Sequence, residues 1–393
     1  MSIGLAPKLR ALLEAEIPRF SDGEMARRRD SVAAAMAEAG AEHLVFCGYN
    51  HAGSAVQWLT QWPVTVEALG VFSPGLPDAM FVQWVNHAPL ARRFADKAEI
   101  VEWGGESSIR KVIETLERRG ARAGRIAVIG PMHFEQHAAL SAKFGRTISL
   151  NRIYHRLRAV KSAEELDWLR IGAAFSDAGM AGLRDAIRPG VDERQLGDAV
   201  ERAYVGAGGG TGIHFIGTTS MHDPDLAVPR QYPLPRRVAK GDVVVAEITA
   251  HFYDHGGQVL RSFAVGEEPT PLYRALHEAA DAAFDAIAAV LKDGTKPAQV
   301  IEASRVIEEA GFTIIDDLLH GYGGGYLQPV LGSTSRPSGP VPEEPFRAGQ
   351  TVVIQPNVVT RDGKAGVQTG QLVVITGAGI ETLQHFPRGF ARV

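Results

Sequence analysis

The sequence predicts an α/β amino-terminal domain, residues 1–155, followed by an α+β domain, residues 156–393, that carries an internal pseudo-twofold repeat. Three observations predict it. Short apolar runs alternate with amphipathic helical text up to about residue 155. Beyond it, capped helices are separated by β-branched strand text. Two turn-helix passages in this second half also resemble each other at a fixed offset.

From Asp22, "DGEMARRRDSVAAAMAEAGAEHLVFCGYN" reads as a helix, a glycine turn and an apolar strand. "VTVEALGVFSPG" and "DAMFVQWV" read as strands, "ESSIRKVIETLERRG" as a helix and "RIAVIG" as a further strand. In the second half, Ser162 and Glu165 form a capping box ahead of Leu166, Leu169 and Ala173 on one helical face. Asp192 and Gln195 repeat that device. "LYRALHEAADAAFDAIAAVLKDG" sets Leu276, Ala280, Phe284, Ile287 and Leu291 along one face of a long helix. "IRPGVDERQLGDAVERAYVGAG" resembles "LKDGTKPAQVIEASRVIEEAG", with Gly190 and Gly294 separated by 104 positions and Gly208 and Gly311 by 103. The pairing fits a pseudo-repeat; two ordinary helix-turn-helix segments are the alternative. "GDVVVAEITAHFYD", "QVLRSFAVG", "GQTVVIQPNVVT" and "QLVVITGAG" supply strands, and the proline-rich "GSTSRPSGPVPEEPFRAGQ" reads as a long loop.

The 393-residue length is enough for two cores, and 45% hydrophobic with 22% charged residues describes a globular chain. A net charge of −4, with basic residues interspersed among acids, offers no stripe for nucleic acid. Cys47 is the only cysteine, so no intrachain disulfide framework exists and a reducing compartment suits the chain. No uninterrupted apolar run reaches the roughly 18 to 20 residues that a membrane span needs. The start of the chain is unlike a secretory signal. The expectation is a cytoplasmic protein with no membrane and no nucleic-acid partner.

Zinc-binding cysteine patterns, HExxH, calcium loops, P-loops and GxSxG elbows are all missing, and "GGGTG" lacks the strand-turn-helix context of a dinucleotide fingerprint. The candidates for chemistry are therefore scattered polar residues. His320 lies in "LLHGYGGGYLQP", where glycines allow a cramped wall beside a substrate or a plain turn held by an imidazole hydrogen bond. Glu247, inside the apolar "VVVAEITAHFYD", is costly to bury unless paired, protonated or met by substrate. Gln258 and Gln355 offer neutral donors and acceptors. In "GGGTGIHFIGTTSMHDPDL", His222 beside Asp223 is the better acid-base candidate, while His214 has apolar neighbours. Arg261 offers a donor fork for a substrate carboxylate or for an acid of the chain. Trp58 and Trp62 line a pocket or interface, or are ordinary core.

The order of "YHRLRAVKSAEELDWLRIGAAF", "GDVVVAEITAHFYDHGGQVLRSFAVG", "LLHGYGGGYLQP", "GQTVVIQPNVV" and "GVQTGQLVVITGAGIETL" resembles the pita-bread family of methionine aminopeptidase, proline aminopeptidase, prolidase and creatinase. The resemblance covers residues from about 155 to 390, and the preceding segment is similar to the amino-terminal domain of the longer relatives. It implies a pita-bread catalytic domain and a homodimer. In metal-dependent members two Asp, one His and two Glu hold a pair of ions; the positions resembling those ligands carry Glu247, Gln258, His320, Gln355 and Gly370. Leu327 replaces a later family histidine. This depleted set, with the precedent of creatinase, leads to an expected metal-independent hydrolase of a C–N bond in a small polar metabolite, carboxylated or not, with no metal and no cofactor. His320, Glu247 and His222 are its expected catalytic residues; Gln258, Gln355, Arg261, His214, Trp58 and Trp62 are its expected substrate contacts. A lyase working by proton abstraction and a noncatalytic binding protein are the alternatives.

Overall fold

Strand text in the first part of the chain forms β1 (His43–Tyr49), β2 (Glu67–Phe72), β3 (Asp78–Gln83), β4 (Ala98–Trp103), β5 (Ile126–Ile129) and β6 (Ile148–Ser149) in a computed structural model that describes residues 3–393. They form one mixed sheet in the order β4-β3-β2-β1-β5-β6. Val45, Cys47, Leu69, Val71, Phe81 and Val128 pack under Ile109, Val112 and Leu116 of helix Ser108–Arg118 and Leu140 and Phe144 of helix Phe134–Phe144. The opposite alternation, including Leu44 and Phe46, is buried as well. Cover on both faces explains why these strands read as continuous apolar runs instead of alternating ones. Cys47 sits in this core, and burial pushes its thiol up to about 12, which leaves it inert.

Trp58 and Trp62 belong to the same unit and are core residues, 3% and 2% exposed. Trp58 meets Tyr154 edge-on at 5.5 Å and Trp62 meets Phe94 at 5.7 Å. Buried Arg28 donates to the Trp58 carbonyl at 3.0 Å. Aromatic area is spent here on packing, and neither ring presents a face to a ligand.

The chain divides into two compact units, residues 14–158 and residues 159–393, the latter joined by the segment ending at Leu13. The early helix Pro7–Leu13 goes with the second unit because Lys8 ion-pairs with Asp167 at 2.5 Å.

The second unit is built on β7 (Gly210–Ser220), β8 (Asp242–Phe252), β9 (His255–Ala264), a short β10 (Thr313–Ile314), β11 (Leu319–Tyr322), β12 (Tyr326–Leu331), β13 (Thr351–Ile354), a short β14 (Val358–Val359) and β15 (Gly370–Ile375). The main sheet runs β12-β11-β13-β15-β9-β8-β7, and β10 pairs with β14 separately. Both expected capping boxes are present: Ser162 opens helix Ala163–Ala186 and Asp192 opens helix Glu193–Arg202. Helix Pro271–Val290 buries Tyr273, Leu276, Ala280, Phe284 and Ile287 against Val243, Val245, Val352, Ile354 and Val373. At about 25 cal/mol per Å² of apolar surface, this contact is a principal source of the unit's stability.

The two similar passages diverge in detail. The first is the continuous helix Glu193–Arg202; the second breaks into Pro297–Ala303 and Val306–Glu309. The stretch around His320 is a β11–β12 hairpin and not a plain turn, because His320 pairs with Val330 and Val353 in the ladder. Its tip, Gly323 to Gly325, has φ of 145°, 63° and 97°, a backbone path that only glycine follows without strain. Among the described residues no helix is long and apolar enough to cross a membrane.

Candidate functional site

Strand register brings the inferred positions together. On β8, Glu247 lies opposite Leu260 of β9, and Leu260 lies opposite Gly370 of β15. Gln258 pairs with Thr249 one diagonal step away. Gln355 follows the last residue of β13, whose partner is Gln371. Directly opposed residues share a sheet face, so Glu247, Gln258 and Gln355 converge.

Their side chains form a continuous chain of hydrogen bonds. Gln258 Nε2 donates to Glu247 Oε1 at 2.7 Å and to Gln355 Oε1 at 2.9 Å. Gln355 Nε2 then donates to Asp317 Oδ1 at 3.1 Å. The backbone holds that geometry, since Gln355 N–H donates to the Leu318 carbonyl at 2.8 Å. Two amides thus join two buried carboxyl groups. Burial, reinforced by the charge of Asp316, pushes Glu247 up to about 8. Burial, then Asp316 and Glu247, pushes Asp317 up to about 8 against the opposing Gln355 hydrogen bond. No cation pairs with either one among the described residues.

His320 is fully buried beside this chain. Its Nδ1 lies 3.0 Å from the Gly321 carbonyl, so Nδ1 carries the proton and Nε2 offers a lone pair that meets no donor in hydrogen-bonding geometry, with the Gln355 amide beside the ring. Burial pulls the imidazole down to about 4, which keeps it neutral. The ring of Tyr326 stacks on it at 3.7 Å and 15°, and Tyr326 itself is 46% exposed. Glu247, Gln258, His320 and Gln355 therefore occupy one site, roofed by a residue of the glycine hairpin.

Three other candidates lie elsewhere. His222 is exposed and bonds Glu267 at 3.1 Å. It follows the end of β7, where Ser220 pairs with Asp242, five residues from Glu247 along β8 and so roughly 16 Å away. His214 pairs with Ile248, the neighbour of Glu247, and so sits on the opposite face, where its Nε2 meets the Tyr204 hydroxyl at 2.5 Å. Arg261 pairs with Ala246 and also faces away. Its donors are taken by the carbonyls of Pro387, Leu260, Gly370 and Phe386 and by Gln371. That arginine is a structural clamp on the carboxyl-terminal segment, with no free fork for a substrate carboxylate.

Sequence reasoning missed Asp317 and Tyr326. The signal for Asp317 was present: "IIDDLLH" places a carboxylate directly before an apolar run, three residues ahead of His320. Nothing in the sequence showed that Tyr326 returns across the hairpin onto that histidine.

A model of the metallopeptidase family M24 matches residues 167–377. The probable dipeptidase PepE of Mycobacterium tuberculosis is 27% identical over 248 residues, 60% of this chain and 61% of that protein, so the match spans about three fifths of the curated relative. Creatinase from a Bacillus species is 25% identical over 189 residues, covering 46% of this chain and 44% of that one. The structure of an Xaa-Pro dipeptidase from Bacillus anthracis superposes with a TM-score of 0.79 at 18% identity, covering 94% of this chain and 100% of that one. The pita-bread fold and its amino-terminal companion domain are thereby shown.

The expectation of a metal-independent hydrolase of a small metabolite is corrected by these findings. The matching family is one of metallopeptidases and the relatives include dipeptidases, so neither freedom from metal nor a non-peptide substrate keeps its support. The donor set is a separate matter. Glu247, Gln258, His320 and Gln355 supply one carboxyl, one imidazole and two neutral amides, which do not balance two hard cations. A Cβ on Gly370 would lie 2.5 Å from the Ile354 carbonyl oxygen and 2.9 Å from Gln355 Cα, so the backbone leaves no room there for a further ligand. Among the described residues no group of three or more His, Cys, Asp or Glu is arranged to hold an ion. These residues do not fit a two-metal centre, and no chemical step is assigned to one.

Proposed function

The chain belongs to the metallopeptidase family M24, and from that premise we propose that its second unit hydrolyses a C–N bond in a short peptide. The observation that supports this most is the hydrogen-bonded chain Glu247–Gln258–Gln355–Asp317 beside the bare Nε2 of His320. Peptide hydrolysis needs a proton taken from the attacking water and one delivered to the departing nitrogen. A carboxyl group with an affinity for protons near neutrality can deliver one, and Glu247 is that group. The neutral Nε2 of His320 accepts from water, whose oxygen forms the new bond to the carbonyl carbon as the C–N bond breaks. Gln258 and Gln355 hold the two carboxyl groups in register.

Incubating the purified protein with a panel of dipeptides in ¹⁸O-labelled water, with added Mn²⁺ and separately with chelator, tests the reading by mass spectrometry. One labelled oxygen in the liberated carboxylate is expected. Products lacking the label, or intact dipeptides in both conditions, overturn it. A homodimer and a cytoplasmic location accompany the reading as proposals, the first checked by sedimentation equilibrium.

A further inference from the structure

The site is closed by its own chain. Glu247, Asp317, Gln258, His320 and Gln355 are all buried, the last three completely. Tyr326 stands between His320 and solvent: it is 46% exposed, its ring lies on the imidazole at 3.7 Å and 15°, and its hydroxyl bonds the Gln355 side chain. The segment that carries it can move while its two ends stay fixed. Tyr322 is buried on β11 with its carbonyl accepting from Thr351 Oγ1, and Leu327 is buried on β12. Between them Gly323, Gly324 and Gly325 have no side chains to repack and the least restricted backbone of any residue type. Gly323 also seats the closed form, because a Cβ there would lie 2.3 Å from Cε of buried Lys161 and 2.7 Å from its Nζ. One aromatic stack and one hydrogen bond hold the ring down, together worth roughly 5- to 100-fold in population. That keeps the site shut and leaves it open to reversal by a ligand.

We propose that Tyr326 is a removable plug, an internal stand-in for the planar group of a ligand, and that the ligand enters by displacing its ring from His320. Whatever enters must replace both contacts that opening breaks, so it presents a flat face to the imidazole and a hydrogen-bonding group to Gln355. Aromatic and heteroaromatic rings bearing a hydroxyl or amino group meet both needs, whereas a saturated ring offers no flat face. Opening is required of any ligand, peptide or not, so the plug stands or falls apart from the hydrolase reading.

Diethyl pyrocarbonate acylates a neutral imidazole at its unprotonated nitrogen, so modification of His320 Nε2 reports opening without any turnover. Its rate is read by peptide mass spectrometry against exposed His222, with buried His43 and His255 as monitors of the fold. Slow reaction of His320 is expected in the wild type, and Tyr326→Ala should speed it about ten-fold or more while His43 and His255 stay unchanged. In that variant, millimolar phenol should refill the vacated place and slow the reaction about three-fold or more, and cyclohexanol should not. If Tyr326→Ala exposes His43 and His255 as well, Tyr326→Phe decides, since it keeps the stack and loses the Gln355 bond: a rise of about two-fold or more supports the plug and an unchanged rate overturns it. A wild-type rate at His320 equal to that at His222, an unchanged rate in a folded Tyr326→Ala, or protection by phenol no better than by cyclohexanol overturns the inference.

Discussion

Glu247 shows how one buried residue links stability to chemistry. Its folded-state proton affinity, about 8, lies above the ordinary 4.5, so between those values the folded chain holds a proton that the unfolded chain has lost. Stability therefore falls as pH rises through that window. Glu247→Gln keeps the Gln258 hydrogen bond and removes the buried acid. Urea unfolding from pH 5 to 8 should show a flatter slope in this variant and a gain at pH 8 on the order of 1–3 kcal/mol. The same variant should lower kcat on any hydrolysed dipeptide by about 100-fold or more. His320 acts with the opposite sign. Its affinity is depressed to about 4 from 6.5, so the unfolded chain binds the extra proton across that interval and stability drops as pH falls through it. His320→Phe should remove that acid-side loss, read as a smaller change in urea midpoint between pH 6.5 and 4.5.

At the scale of elements, local devices and close approaches can be separated by mutation. Ser162 accepts from Glu165 N–H at 3.1 Å and the Glu165 carboxylate returns to Ser162 N–H at 3.0 Å. Ser162→Ala should cost about 1 kcal/mol in thermal or urea unfolding, with no change in the pH response of the site. Gly370→Ala is a different case. Its new Cβ would meet the Ile354 carbonyl and Gln355 backbone, and the ladder between β13 and β15 must give way. A loss of about 1–3 kcal/mol is expected, with disturbed binding because Gln355 is displaced. The helices were legible beforehand because capping boxes and apolar spacing are local. The β11–β12 hairpin was not, since "LHGYGGGYLQP" has too few alternating residues to announce strands, and its pairing with β13 comes from sequence some 30 residues away.

For the whole molecule, the two units have separate cores, and that of residues 14–158 has its own six-stranded sheet. Residues 14–158 expressed alone should unfold cooperatively on heating, with the near-ultraviolet signature of buried Trp58 and Trp62; a featureless near-ultraviolet spectrum would show that this core needs the rest of the chain. Net charge, cysteine count and strand-helix alternation bear on the molecule at this scale and were readable at once. The order of motifs along the second unit likewise reached the family that the M24 match shows. Whether metal takes part was a reading of residue types at inferred positions, and family membership removed its support.

By itself the sequence determined the alternation of elements, the capped helices, the family and the gathering of Glu247, Gln258, His320 and Gln355 into one site, because these depend on local spacing and on motif order. Only the tertiary structure decided which neighbours joined or left that group. Strand parity turned His214 and Arg261 to the other face, distance along β8 removed His222, and core packing claimed Trp58 and Trp62. A turn before β11 carried Asp317 in, and a glycine hairpin laid Tyr326 over His320. The physical reason is that a side chain's chemistry is set by what it is buried against, and those contacts join residues far apart in the chain, as Asp317 and Gln355 are at 38 positions, beyond the reach of any local pattern.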